Sequence, residues 1–467
     1  MKKILFTITC ALLLFNSFAQ TIVECNNVLI NDAYNLAVNT VKINVRRGIL
    51  AAGGDYGGEW VRDIAINSWN SASLLLPGIA EKSLWSVTIN KDTIGHQYWD
   101  KIIWVIAAYN HHKITGNKVF LKQAYFCSKN TMQQLEETQF DNHFGLFNGP
   151  SVFNDGIAGY PSPIYDSSNL SSFVLDYPRS KTIKCLSTNC VYYGAYQALK
   201  EMALLLNKND DTTAYNVKAA NLKQNILQYL FDKNENRFNY FIDENGTAYQ
   251  YQEALGLSFA VIFGIVDNET AKQIISNAKV SAFGITSVYP DFTRFSKEKP
   301  GRHNNIIWPM VNGFFAQAAI ASQNFDVFDK ELFNLAHLAI DADKGDYNFR
   351  EIYNPYTGAP DGGWQSNHQW NSCRYQTWSA TAFINMVHNG LLGIRIKNNG
   401  LKFQPYLPDE INYLKLTDII YRNAKLNVVL KGNGEKIKSF LLNRKKQNEN
   451  FIPSTIKGNN EIVIELE

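Results

Sequence analysis

The segment DYNFREIYNPYTGAPDGGWQSNHQWNSCRYQTW, residues 346–378, sets Glu351 among Tyr353, Tyr356, Trp364, Gln365, His368, Gln369, Trp370 and Trp378. Gly358, Gly362 and Gly363 loosen the backbone between them. Flat aromatic faces suit the C–H faces of sugar rings, and amides and indole N–H groups suit hydroxyls. An acid in this setting reads as half of a carbohydrate site that needs a second acid.

The rest of the 467-residue chain agrees with a large globular protein: 45% hydrophobic, 19% charged, net charge +3. Basic residues cluster only at Arg444-Lys445-Lys446, so nucleic acid is not an expected partner. Aromatics make up 13%, many of them in Gly-, Asn- and Pro-rich stretches where core filling does not account for them. Residues 1–19 read as an export signal, with Lys2 and Lys3, the apolar run Ile4 to Phe15, and Ser17-Phe18-Ala19 before the cut. The expected mature protein is periplasmic or secreted and not held in a membrane. Of the remaining cysteines, Cys185 and Cys190 could close a short disulfide loop. No Cys/His spacing resembles a zinc site.

Amphipathic helical patterns occupy 62–76, 99–112, 118–137, 191–206, 213–231, 307–322, 327–341 and 376–393. The pair 191–206 and 213–231, joined at Asn207–Asp210, predicts an antiparallel hairpin. The stretches 138–190 and 280–306 are too long for passive connectors. Helical hairpins joined on one side by long aromatic loops predict a mainly α helical toroid over residues 20–395. After it, 396–467 reads as a small antiparallel β module with a packing role.

Glycosidic hydrolysis commonly uses two carboxyls, one protonated and one ionised. For the second acid, Asp155 in FNDGIAGY lies between Phe153 and Tyr160, although Asn-Asp-Gly is equally a common turn. Asp141 and Asp166 are rivals. GGDYGGEWVRDIAINSW, 53–69, offers Trp60, Arg62 and Asp63 as a pocket floor. GRHNNIIWPMVNGFF, 301–315, offers His303 and Trp308 as sugar contacts, and Trp99 reads as a platform beside the core residue Trp104.

Taken in order, these blocks resemble the (α/α)6 six-hairpin glycosidases, nearest to glycogen-debranching glucosidase domains and glycoside hydrolase family 63 α-glucosidases. IIWPMVNGFFAQAA is similar to the family's W-P helix and FREIYNPYTG to its segment bearing the general base. NSCRYQTWSATAF is similar to its Q-x-W-S-A helix. The resemblance implies Glu351 as base, Asp155 as general acid, and Gln376 and Trp378 as site-lining residues. It also implies an inverting exo-acting α-glucosidase-like enzyme on oligosaccharides that needs no cofactor. Two other readings stand beside it: a polysaccharide lyase using His303, Tyr289 and Arg302, and a sugar-binding protein without catalysis.

Overall fold

The structure, a computed structural model, describes residues 22–152, 160–162, 164–171, 173–341 and 346–467. The export segment expected over 1–19 lies outside the described residues. The α-helices are α1 (Val28–Ile43), α2 (Val61–Asn67), α3 (Ser73–Leu75), α4 (Pro77–Ser86), α5 (Ile103–Thr115), α6 (Lys118–Gln139) and α7 (Leu186–Leu205). They continue with α8 (Asn209–Tyr229), α9 (Ala254–Ile262), α10 (Asn268–Asn277), α11 (Pro309–Ala321), α12 (Phe325–Ile340) and α13 (Thr377–Asn385). Two π-helical turns, Ser68–Ala72 and Met386–Leu391, prolong α2 and α13.

Two kinds of helix alternate. α8 buries only Tyr215, Ala219, Leu222 and Ile226, a stripe at three- and four-residue steps that marks a helix with one side in water. In α9, by contrast, every residue from Ala254 to Val261 is buried, so neighbours surround it. Among the described residues the fully surrounded helices form a ring. α2, α5, α7, α9, α11 and α13 pack consecutively, and α13 closes on α2. α6, α8 and α12 lie against α5, α7 and α11, and α10 against α9, while α1 covers α13. This is the (α/α)6 toroid. Because each inner helix up to α11 is followed by its outer partner, the inner helices run the same way and their N-termini share one end.

The predicted hairpin is α7–α8. α7 starts five residues before its apolar stripe because its polar first turn is used internally. Thr188 Oγ1 donates to Pro150 O (2.6 Å), and Asn189 donates to Phe147 O (3.1 Å) and accepts from Phe147 N (2.8 Å). The same start rules out the suggested disulfide. Cys185 caps α7 and Cys190 lies in its second turn, and both are buried free thiols. The helical rise carries the two side chains to different neighbours, with Cys190 Sγ facing Gly256 O at 3.8 Å.

The carboxy-terminal module holds a six-stranded sheet in the order Val23–Cys25, Tyr413–Tyr421, Asn423–Lys431, Lys457–Leu466, Ile437–Leu442 and Lys445–Lys446. Its pairs are antiparallel save one: Asn423–Lys431 and Lys457–Leu466 run parallel. A three-stranded sheet of Ile394–Lys397, Gly400–Phe403 and Phe451–Pro453 lies beside it. The edge strand Val23–Cys25 comes from the far end of the sequence, so the first described residues are stitched into this module.

Candidate active site

The N-cap positions of the inner helices are Trp60, Ile102, Cys185, Glu253, Trp308 and Gln376. Three of the residues expected from sequence therefore sit at helix starts on the shared end of the ring. The backbone before α13 carries Glu351 there. Glu351 N donates to Cys373 O (3.0 Å), Gln376 N to Phe349 O (2.8 Å), and Tyr353 pairs with Ile307 just before α11.

Glu351 is 3% exposed, and groups from distant segments meet on its carboxylate. Arg302 Nη2 donates to Oε1 at 2.7 Å, and Tyr56 Oη donates to Oε2 at 2.9 Å. Arg302 Nη2 also reaches Tyr56 Oη (2.8 Å), and Nη1 donates to Gly362 O (3.1 Å). Burial works against the Arg302 charge, but Glu351 and Tyr56 outweigh it and hold the guanidinium above its usual range. Burial, and next the Glu351 charge, push the Tyr56 phenol up, so it remains a neutral donor. Both carboxylate oxygens thus accept, an arrangement suited to an ionised acid.

A second cluster stands at the start of α2. Arg62 Nη1 donates to Gln97 Oε1 (2.9 Å) and lies 3.5 Å from Asp100 Oδ2, while its Nε is 3.6 Å from Asp63 Oδ2. His303 stands between the two clusters. Its ring stacks on Trp308 (4.1 Å, 13°), which meets Trp378 edge-on (5.4 Å, 72°). Burial, then the charges of Arg302 and Arg62, depress its pKa well below the usual value, leaving a neutral imidazole. Both His303 ring nitrogens, both Gln376 amide atoms and the Nε1 atoms of Trp308 and Trp378 are buried with no hydrogen-bond partner among the described residues. Buried polar atoms are normally paired, so this wall is made for something other than itself. Gly53 makes the wall possible, since a Cβ there would lie 2.4 Å from Gln376 Oε1 and 2.8 Å from Cys373 Sγ.

Trp60 is half-buried and edge-on to Tyr56 (6.2 Å, 82°). Trp364 and Gln365 are half-buried in the strand Asp361–Gln365, where Trp364 O accepts from Arg302 N (2.9 Å). Trp99 and Tyr160 lie deeper, in an aromatic cluster with Tyr240, Phe241 and Phe292. Tyr160 Oη accepts from Ser151 N there (3.0 Å), and Trp99 Nε1 has no partner among the described residues. Asp155 falls at 153–159, outside the described residues. Its rivals have other partners. Asp141 pairs with Lys184 (2.7 Å), and exposed Asp166 accepts from Ser168 N (2.9 Å).

Sequence reading missed Tyr56 and left Arg302 to the lyase alternative. The glycine pairs around Tyr56 in GGDYGGEW were the available signal. It also missed Glu253, which is buried and accepts from Ser187 N (2.9 Å) and from Ser151 Oγ. Loss of hydration pushes its carboxyl up to about 7 against those hydrogen bonds. Among the described residues no group of three or more His, Cys, Asp or Glu could hold a metal ion.

Residues 91–379 match the sequence profile of the mannosylglycerate hydrolase MGH1-like glycoside hydrolase domain. The chain belongs to the MGH1-like glycoside hydrolases. Residues 394–440 match the C-terminal domain of glycosyl hydrolase family 65. This glycoside hydrolase resembles solved toroids at low identity. A protein described as a sialidase superposes with TM-score 0.71 at 17% identity, over 91% of this chain and 40% of that one. A family 78 rhamnosidase of Bacillus sp. GL1 gives 0.59 at 14%, over 96% and 44%. A family 63 mannosylglycerate hydrolase from Thermus thermophilus gives 0.60 at 14%, over 76% and 100%. The chain spans less than half of the sialidase and rhamnosidase chains. Curated proteins gave no match by sequence.

Proposed function

We propose that this glycoside hydrolase is an inverting, exo-acting α-glucosidase-like enzyme on short saccharides, with Glu351 as general base and Asp155 as general acid. One observation carries the reading: a buried carboxylate held by Arg302 and Tyr56 beside a wall of unpaired polar and aromatic groups. In such a site Glu351 takes a proton from water as it attacks the anomeric carbon, and Asp155 protonates the departing oxygen on the other face. Inversion leaves room for that water, with the carboxyls about 6.5–9.5 Å apart. Trp60 supplies a ring face, while the indole N–H groups of Trp308 and Trp378, with Gln376, His303 and the Arg62–Asp63 pair, address hydroxyls. Thermus thermophilus neighbours have been solved with glucose and with D-glycerate, so α-glucosyl and α-mannosyl glycerates belong among the substrates to try. Export through residues 1–19 is part of the same proposal, tested by amino-terminal sequencing of the mature protein.

The test is a screen of α-linked disaccharides, glycosyl glycerates and aryl α-glycosides, with proton NMR of the first-formed sugar. The β anomer from an α substrate is expected, and Glu351→Gln should lower kcat by about 10³-fold or more. Retention of the α anomer, or wild-type turnover by Glu351→Gln, would refute the assignment. An ultraviolet-absorbing unsaturated product would point to a lyase instead.

A further inference from the structure

The opposite end of the toroid carries a second cavity. Its volume is about 240 Å³, and it opens between the C-terminal ends of the inner helices and the strand Ile394–Lys397. Both π-helical turns border it, one supplying Trp69 and Asn70, the other Met386, His388 and Asn389. A π turn is rare and is frequently found at functional sites. Here two neighbouring inner helices carry one at the same level. Trp69 reaches across the axis to Phe259 and Phe263 of the α9 end, stacked at 6.3 and 6.0 Å, and to Phe314 of α11 at 5.2 Å. Trp69 thus joins the cavity wall to an aromatic cluster inside the ring.

The lining has a definite chemistry. Lys113, Arg395 and Lys397 border the cavity, and among the described residues no Asp or Glu does. Lys113 Nζ donates to Ile396 O at 3.3 Å, and Arg395 Nη1 donates to Asn389 O, which leaves further N–H groups on each to offer a ligand. Burial pulls the Lys113 pKa down to about 8, with Lys397 adding to the effect and Glu201 opposing it. Burial likewise brings Arg395 down to about 10. Two side chains more than nine-tenths buried point polar atoms here with no partner among the described residues: Asn70 Nδ2 and His388 Nδ1. Amides of Asn70, Gln317 and Asn389 beside the Trp69 indole suit hydroxyls on a ring. The volume equals that of about eight waters, enough for one six-membered sugar ring with a charged substituent.

We propose that this lower cavity is a second ligand site, for an anionic monosaccharide derivative such as a sugar phosphate or sugar acid. The cations take the phosphate or carboxylate and Trp69 and the amides take the ring, with the catalytic mouth not involved. Isothermal titration with glucose 6-phosphate, gluconate, inorganic phosphate and glucose tests it on the full chain. Saturable one-to-one binding of glucose 6-phosphate or gluconate is expected, and the better of the two identifies the anion. The Arg395→Gln/Lys397→Gln variant should weaken it about tenfold or more, Lys397→Glu alone should weaken it too, and Glu351→Gln should leave it unchanged. Lys397 is exposed, so its single variant reports even where the double variant fails to fold. No saturable binding up to about 10 mM, a threshold near the weak end of specific recognition, overturns the proposal. So does equal binding of neutral glucose, binding of inorganic phosphate alone, or binding lost with Glu351→Gln.

Discussion

Tyr56 and Arg302 reach Glu351 across 295 and 49 residues of chain, and they do different work on it. Removing the Tyr56 hydroxyl leaves the carboxylate with its ion pair. Tyr56→Phe should therefore lower kcat about tenfold with little change in melting temperature, a split that paired kinetic and calorimetric measurements resolve. Removing Arg302 strands a charge that is 3% exposed. Arg302→Met should cost about 3–5 kcal/mol of stability as well as activity, read from denaturant unfolding. Activity lost with unchanged stability would mean that Glu351 does not depend on the ion pair for its burial. None of this contact network was legible in sequence. Glu351 could be singled out there, because FREIYNPYTG sets it in a short segment of aromatic and turn residues. Its two donors come from loops whose approach depends on ring closure, which no local pattern encodes.

Helix packing sets the spacing of those loops. Gly313 of α11 faces α13 so closely that a Cβ would lie 2.6 Å from Ala382 Cβ. Gly313→Val should push α13 away, lower the melting temperature by several degrees and disturb Gln376 and Trp378 at its start. The outer helices α6, α8 and α12 were readable from their stripes, whereas α1, α4 and α10 were not read. α9, ALGLSFAVI, was not, because a helix buried on every side has no period to read. The starts of α7 and α9 also hold Glu253, whose carboxyl is raised from 4.5 to about 7. The folded chain then keeps a proton that the unfolded chain releases. The associated stability is fully present below about 4.5 and is lost as pH rises through about 7, up to about 3 kcal/mol in all. Glu331, likewise raised to about 7 by burial, adds to the slope. Calorimetry at pH 5 and pH 8 should show the wild type losing more stability over that interval than Glu253→Gln, and parallel losses would exclude Glu253 as the source.

At the scale of the molecule, the toroid and its trailing sheet were both foreseeable, the first from repeated hairpins and the second from the change to short alternating runs after residue 395. The link between them was not. Val23–Cys25 is three residues long and pairs with Leu414–Leu416 through a register that only the finished sheet defines. That pairing joins positions some 390 residues apart, Val23 with Leu416 among them. At about 5–20 residues per second, a ribosome takes on the order of 20–80 s to cover that distance. Throughout that interval the strand Val23–Cys25 has no sheet to join, and for most of it α1 has no α13 to cover. Closure of the module is therefore a late event, because the strand Val23–Cys25 cannot pair until the strand Tyr413–Tyr421 has been made.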